Sequence, residues 1–507
     1  MIINYFYLLV FVAFSFSGFI SEFQAKSVAQ NLFKERNALS YQDDFSVSTV
    51  ETVVSNNVIV LYVFHLSPKG FVIVSGDDKA HPILGYSFTN NFSTSAMPEN
   101  LLYLFNLFKE EIYLASIASS SQNPEIKQLW HKYLSGENLS FGSRNIEPMI
   151  EAEFNQGGSW NNVVTQNIGD NVPVGCVAVA MCQIMHYWSH PSQGSGSNYY
   201  YHLDYGLIEA DFSSATYDFD TMPASYANSD SQLLLFHAGV AVNMDYNYSG
   251  SGAYVIGDYP SAGHAMKTYF GFSENLNFIH KNNYETNAEF RDLLKQQLED
   301  GKPIMYRGDT GESGHAWNID GYNGNMLHCN WGWGGSSNGY FNLNSMGGFP
   351  NSNAAVVDLF PDFGVPIALF EYDVSDLDVV FVDLSEFASP TQIDQWHWNL
   401  GDGNSVSSSE AFAQHSYSEG GEYVVSLVVE DIYGQTSEPF TEVVVIESED
   451  SPVAGDMNDD SILDILDIVV LVNLVIDNPG FDSQGDINND GILNVLDVIL
   501  LVNLLLE

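Results

Sequence analysis

The run VPVGCVAVAMCQIMHYW, residues 172–188, decides how the rest of the chain is read. Pro173 and Gly175 interrupt whatever precedes it. From Cys176 onward, Val177, Ala180, Met181, Ile184 and Trp188 recur at three- and four-residue spacings, which predicts a helix starting at Cys176. A cysteine in a first helical turn lies among unpaired backbone N–H groups at the positive end of the helix dipole, a setting that favours a thiolate. The plain alternative is a buried core cysteine, since free cysteines are often interior.

A thiolate nucleophile of the Cys–His kind needs an imidazole within hydrogen-bond reach and a third group to orient it. In GHAWNIDGYNGNMLHCNWGWGG, residues 314–335, His315 opens a strand-like run, a Gly/Asn turn follows, and a second strand ends in Asn330 and Trp331. Such a hairpin is expected to bring His315 and Asn330 side by side. Upstream, EAEFNQGGSW supplies Gln156, an amide donor for an oxyanion.

Together FNQ, VGCVAVAMCQIMHYW, GHAWNIDGY and NWGWGGSSNGYF resemble the streptopain family of secreted cysteine peptidases, over about residues 26–360. The resemblance implies an α+β fold: a papain-like peptidase domain made behind an inhibitory α+β propeptide. It implies Cys176 as nucleophile, His315 as acid/base partner and Gln156 as side-chain oxyanion donor beside the Cys176 N–H. It further implies Asn330 orienting the histidine, Trp331 shielding that contact from water, and a hydrophobic residue preferred two positions before the cut. One departure is Phe154, where the family usually has Trp before the Asn-Gln pair.

A chain of 507 residues is long enough for several domains. Its 64 acidic against 15 basic residues give a formal net charge of −49, which repels phosphate backbones and argues against nucleic-acid binding. Three cysteines are too few for a disulfide framework, and Cys182 and Cys329 read as buried thiols. Residues 1–25 read as a secretory signal, with an apolar run and small residues at Ser17, Gly18 and Ala25, although positive residues before the run are missing. A retained membrane anchor is the competing reading. No other stretch approaches a membrane-spanning length, so a secreted protein is expected.

Residues 26–146 begin with a helical pattern and continue with strand-like runs. KGFVIVSGDDKAHPILGYS resembles the propeptide of streptopain-type zymogens, an ordinary N-terminal domain being the alternative. The polar, turn-rich end of this part suits an exposed processing loop. The peptidase is expected over 147–360, with its cleft between a helical and a strand-rich half. There His186 and His190 read as structural or solvated, and His328 as sharing a strand face with Asn330. GWGGSSNG reads as a flexible cleft wall, because a phosphate loop would need a lysine and a following helix.

Residues 366–448 turn to short alternating strands. WHWNLGDGNSVS and HSYSEGGEYVVSLVVED resemble the PKD domain, an immunoglobulin-like β-sandwich, which implies Trp398 in the core, a hairpin closed at Gly401-Asp402-Gly403, and a spacer role. Residues 454–507 contain a repeat with a period of 30: DMNDDSILDILDIVVLVNLVID from Asp456 and DINNDGILNVLDVILLVNLLLE from Asp486. Oxygen-bearing side chains fall at calcium-loop positions 1, 3, 5, 9 and 12. They are Asp456, Asn458, Asp460, Asp464 and Asp467, then Asp486, Asn488, Asp490, Asn494 and Asp497, with Ile462 and Ile492 offering carbonyls at position 7. Gly491 suits the turn at position 6, whereas Ser461 departs from it.

One helix after each loop, and Asp at position 12, resemble a type I dockerin. That implies a small helical calcium-binding module docking to a cohesin-like or cell-surface partner. Positions 10 and 11, often polar recognition residues in cellulosomal dockerins, are here Ile465-Leu466 and Val495-Leu496. The apolar helices are expected to bury against each other.

The function these readings predict is a secreted cysteine endopeptidase made as a zymogen. It would act on proteins or peptides, carry structural calcium in its C-terminal repeats, and need no cofactor for catalysis and no membrane beyond the signal segment. Two other readings stay open: a non-catalytic surface adhesin or docking protein with a relic peptidase domain, and an amidase or acyl-transfer enzyme on the same scaffold.

Overall fold

The computed structural model describes residues 18–36, 45–95, 97, 99–119, 121–139, 145–309, 314–342, 351–387, 391–446, 454–477 and 482–506. They fall into two units, Met1–Asp362 and Phe363–Glu507.

In the first unit, apolar runs such as VIVLYVFHL and FVIVS build an antiparallel meander: β1 (Val47–Ser55), β2 (Val58–Leu66), β3 (Phe71–Ser75) and β4 (Ile83–Ser87). Strands buried on both faces read as nearly continuous apolar runs. Here one face, with Tyr62, Phe64, Val72 and Val74, packs on helices α1 (Glu22–Arg36) and α3 (Pro124–Ser135). The other, with Val63, Phe71 and Ile73, packs on α2 (Glu99–Ile117). α3 starts where the Asn123 side chain accepts from the Glu125 N–H, has Pro124 in its first turn and stops at Gly136 with φ 70°.

Residues 1–17 of the expected signal segment lie outside the described residues. Residues 18–25 are built into this fold: Ile20 and Ala25 are in its core, and the Ile20 N–H donates to the Gly76 carbonyl. The boundary expected at 25 lies within α1.

After the short strand β5 (Asn145–Ile146) come α4 (Asn162–Ile168), α5 (Cys176–Trp188), a hairpin of β6 (Ser197–His202) and β7 (Gly206–Asp211), α6 (Ser229–Ala241) and α7 (Ala262–Phe270). The helical core gathers on α5, which is buried from Val177 to Met185 and packs on Leu234, Ala238 and Met266. The strand half follows as β8 (Asn277–His280), α8 (Asn287–Glu299), β9 (Ile304–Asp309), β10 (Gly314–Asn323), β11 (Met326–Asn330), β12 (Gly339–Asn342) and β13 (Asn351–Val357).

These strands and the N-terminal meander form one sheet, in the order β1-β2-β3-β4-β12-β11-β10-β9-β13-β8, with β5 paired on β10. The join is β4 against β12, Tyr86 opposite Tyr340 and Gly85 opposite Phe341. Gly85 is required there, because a Cβ would stand 2.6 Å from the Phe341 ring. The expected propeptide and peptidase are thus two ends of a continuous sheet.

In the second unit, β14 (Phe370–Ser375), β15 (Asp378–Asp383) and β18 (Phe412–Ser416) form one sheet, and β17 (Ser405–Ser408), β16 (Ile393–Asn399), β19 (Gly421–Asp431) and β20 (Phe440–Ile446) another. Trp398 is buried between them with the Phe370 and Phe381 rings at 5.2 and 5.5 Å, as the β-sandwich expectation requires. The β16–β17 hairpin turns through Gly401, whose φ of 82° and closeness to Val424 leave no room for a side chain.

Further on, helices Ile465–Asp477 and Val495–Leu506 pack reciprocally. A Cβ on Gly455 would meet Leu501 at 2.3 Å, and one on Gly485 would meet Leu471 at 2.8 Å. Mutual burial was expected for these helices, but of their described apolar side chains only Leu471 and Leu501 are fully covered. Ile465, Ile476, Val495 and Leu506 are each more than 60 % exposed, because two helices offer each other only one narrow stripe.

Candidate active site

Gly175 sets the geometry of the helix start. Its φ is 99°, and a Cβ there would approach Met244 Sδ to 2.6 Å and the Ser251 carbonyl to 3.1 Å. Cys176 follows as the first residue of α5, half-buried, with no side chain capping the helix. Its position among first-turn N–H groups is the one expected from sequence. Cys182 and Cys329 are also unbridged but wholly buried, and burial pushes both thiols well up, so neither is a source of thiolate.

Two cavities meet at Cys176. One is lined by Cys176, His315, Gln156, Pro173, Ser251 and Trp333, among others, and the other by Cys176, His315, Val177, Tyr254, Ala316 and Arg307. Three residues distant in sequence, Gln156, Cys176 and His315, therefore share one wall. Gln156 is held near the helix start by its carbonyl, which accepts from the Val174 N–H at 2.8 Å. The Asn155 side chain turns the chain there by accepting from the Gln156 N–H at 2.7 Å. Phe154, in the place of the family's Trp, is buried against the Trp160 ring at 4.7 Å.

The hairpin register differs from expectation. Asn330 on β11 stands opposite Asn318 on β10, and His315 stands opposite Gly308 on β9. The Asn330 amide donates to the Ala152 carbonyl at 3.0 Å and accepts from Gln183 Nε2 at 3.0 Å and from the Gly332 N–H at 3.3 Å. Asn318 Nδ2 donates to Gln183 Oε1 and to the Ala180 carbonyl, at 3.0 and 3.1 Å. Gln183, Asn318 and Asn330 are all essentially inaccessible, so a buried amide cluster joins the Cys176 helix to the hairpin that carries His315.

Trp331 lies deep in the core against Trp317 and Phe341, while Trp333 is the aromatic lining the cavity. His328 Nδ1 is 2.6 Å from Asp320 Oδ1, which accounts for it structurally. His186 and His190 Nε2 each lie 3.0 Å from a carbonyl, of Met222 and Gly271.

The glycine-rich loop forms a cavity wall through Trp333 and is gripped by the N-terminal domain. Asn90 Nδ2 donates to the Gly335 carbonyl at 2.9 Å, and the Ser337 N–H donates to the Asn91 carbonyl at 3.0 Å. Sequence reasoning missed Trp333, Arg307, Gln183 and Asn318.

In the C-terminal repeats the two loops are wound alike. Asp456 accepts from the Asp460 and Ser461 N–H groups at 3.3 and 2.8 Å, and Asp486 from those of Asp490 and Gly491 at 3.1 and 2.8 Å. Asp467 and Asp497 are completely buried and accept, at 2.7 and 2.8 Å, from the N–H groups of Asp464 and Asn494. Among the described residues no three His, Cys, Asp or Glu side chains converge closely enough to hold a metal unaided. Asn458, Asn488 and the Ile462 and Ile492 carbonyls would have to complete any ligand set.

Comparison with known proteins fits this geometry. Residues 154–341 match the Peptidase C10 family, 17–112 the Spi protease inhibitor and 366–446 the PKD domain. Streptopain of Streptococcus pyogenes is 28% identical over 335 residues, covering 59% of this chain and 81% of that protein. A thiol protease/hemagglutinin, PrtT, of Porphyromonas gingivalis is 26% identical over 379 residues, 68% of this chain and 42% of that one. The solved prointerpain A fragment of Prevotella intermedia is 25% identical with a TM-score of 0.48, covering 62% of this chain and 98% of the fragment. With a Peptidase C10 domain set behind a domain like the Spi inhibitor and ahead of a PKD domain, the chain is a cysteine peptidase.

Proposed function

We propose that the chain is a secreted endopeptidase made as a zymogen, in which the Cys176 thiolate attacks a peptide carbonyl and His315 protonates the leaving amine. Water then cleaves the acyl-enzyme with His315 as base. Gln156 Nε2 and the Cys176 N–H would hold the oxyanion, a role worth about 3 kcal/mol per donor. Asn330 would act on His315 from within the amide cluster, with Trp331 packing behind it. The observation that carries this reading is the shared cavity wall of Gln156, Cys176 and His315. Cys176→Ala tests it: casein hydrolysis and self-processing should both disappear, and unchanged activity would refute the scheme.

The grip of Asn90 and Asn91 on the loop bearing Trp333 supports an inhibitory role for the N-terminal domain, since that loop cannot shift while held. Separating the domain from the full chain after processing should raise turnover of a small peptide.

The C-terminal repeats read as calcium sites. Asp467 and Asp497 are buried carboxylates in a stretch, residues 308–507, that contains no Lys or Arg at all, so no basic side chain there offsets their charge. A buried carboxylate without a cation is costly. Calcium would supply the missing positive charge to Asp456, Asn458, Asp460, Asp464, Asp467 and the Ile462 carbonyl, and to Asp486, Asn488, Asp490, Asn494, Asp497 and the Ile492 carbonyl. Calorimetric titration of the full chain with calcium should give two sites, and Asp467→Asn should remove one.

The exposed Ile465-Leu466 and Val495-Leu496 pairs suit a cohesin-like or cell-surface partner with an apolar face. Among the described residues no helix is long and apolar enough to cross a membrane.

A further inference from the structure

Arg307 is the last basic residue of the chain and one of only 15, and it lines the second cavity at Cys176. Its place follows from strand alternation on β9. Met305 faces the helical core and Tyr306 the opposite core, so Arg307 lies on the same face as Met305, towards α5. Its cross-strand neighbours are Ala316 on β10 and Ala354 on β13, both buried and both small. The long side chain is thus flanked by two methyl groups.

The cavity holds about 210 Å³, bounded by Cys176, Val177, Val255, His315 and Ala316, with Arg307 as the permanent charge among its lining residues. A cavity with apolar walls and an arginine among its lining residues is complementary to a side chain with a short aliphatic stem and an anionic head. A guanidinium has five N–H donors, so it can hold a neighbouring group and still present a fork to a carboxylate. In a protein of net charge −49, a cation lining a cavity at Cys176 is informative, since the overall charge disfavours an acidic peptide.

We propose that this cavity is a subsite for an acidic side chain, so that the peptidase prefers Glu or Asp at the substrate position that enters beside Cys176, with Arg307 as the specificity-determining residue. The inference rests on the peptidase reading above and replaces the hydrophobic preference implied by family resemblance.

The test is a positional-scanning library of fluorogenic peptides, hydrolysed by the full chain after its own processing is complete. Matched Glu, Gln and Leu peptides are then compared for wild type, Arg307→Gln and Arg307→Lys. One position should favour Glu over Gln by about tenfold or more in kcat/KM, the discrimination expected of a hydrogen-bonded ion pair. Arg307→Gln should abolish that preference by lowering kcat/KM for the Glu peptide at least tenfold more than for the Leu peptide, with the rate of Cys176 alkylation by iodoacetamide reporting whether the nucleophile itself is intact. Arg307→Lys should keep part of the preference. Hydrolysis with no acidic preference at any position, or a preference untouched by Arg307→Gln, overturns the proposal and leaves the peptidase reading intact. Failure to cleave any member of the library removes both. If Arg307→Gln slows alkylation, Arg307→Lys decides: loss of the Glu preference in a normally alkylated Lys variant supports the fork, and full retention with no salt dependence overturns it.

Discussion

Gly175 precedes α5 with φ 99° and with Met244 Sδ where a Cβ would go. Gly175→Ala is expected to cost about 1–3 kcal/mol and to shift the helix start. The measurements are thermal unfolding and the rate of Cys176 alkylation, both of which should fall. A second left-handed position gives the opposite sign. Ser461 has φ 62° where its counterpart Gly491 has 78°, so the first of the two loops proposed to bind calcium carries a strain at that position that the second avoids. Ser461→Gly should stabilise that loop by about 1 kcal/mol, read as tighter calcium binding at one site. Gly175, Cys176, His315 and Gln156 are legible in sequence because each sits in a short motif. Arg307 and Trp333 are not, since whether they reach the cavity depends on strand register and on loop path. Ser461 was visible as a departure, and the structure adds that its backbone takes up the glycine-like conformation regardless.

At the level of helices and strands, the joint between α5 and the β10–β11 hairpin is a cluster of three amides. Gln183 lies seven residues after Cys176, about two helical turns along the same face, and bonds to both Asn318 and Asn330. Gln183→Leu keeps the volume but strips one partner from each asparagine, leaving Asn318 Nδ2 only the Ala180 carbonyl and Asn330 Oδ1 only the Gly332 N–H. The expected loss is about 2 kcal/mol or more of stability, together with a fall in kcat and little change in KM, because substrate contacts remain. Unchanged kcat in a folded variant would show that the cluster does not position the reacting groups. Gln183 was hidden in sequence by its setting in an apolar run. Asn330 was expected beside His315, and the strand pairing sets it opposite Asn318. Counting back from the turn, with Tyr322 opposite Leu327, already sets Asn330 several residues along β10 from His315, and the bulge between Ile319 and Gly321 shifts its partner by one more residue, to Asn318.

Over the whole molecule, acid should weaken the first unit through His237. That ring, on the buried side of α6, lies 2.7 Å from the Tyr217 hydroxyl, and burial pushes its pKa down to about 4 from 6.5. Between those values the unfolded chain binds the extra proton and the folded one does not. Stability is therefore full above about pH 6.5 and declines towards pH 4, by about 3 kcal/mol in total from this group. Denaturant unfolding at pH 7 and pH 4.5 measures the slope, and His237→Gln should flatten it. The order of the inhibitor-like, peptidase and PKD parts was legible from their motifs. The union of two of them in one sheet was not, because β4 and β12 are remote along the chain and neither carries a mark of its partner.

That union would carry a cost if the N-terminal part were cut away. The Tyr86 ring, stacked on Tyr340 at 5.0 Å, would leave with it, and β12 would become a bare margin with unsatisfied amides and aromatic flanks. Bare margins recruit strands. A matured molecule should either keep its excised fragment clamped in place or seek a substitute ribbon, whether an extended peptide or its own twin.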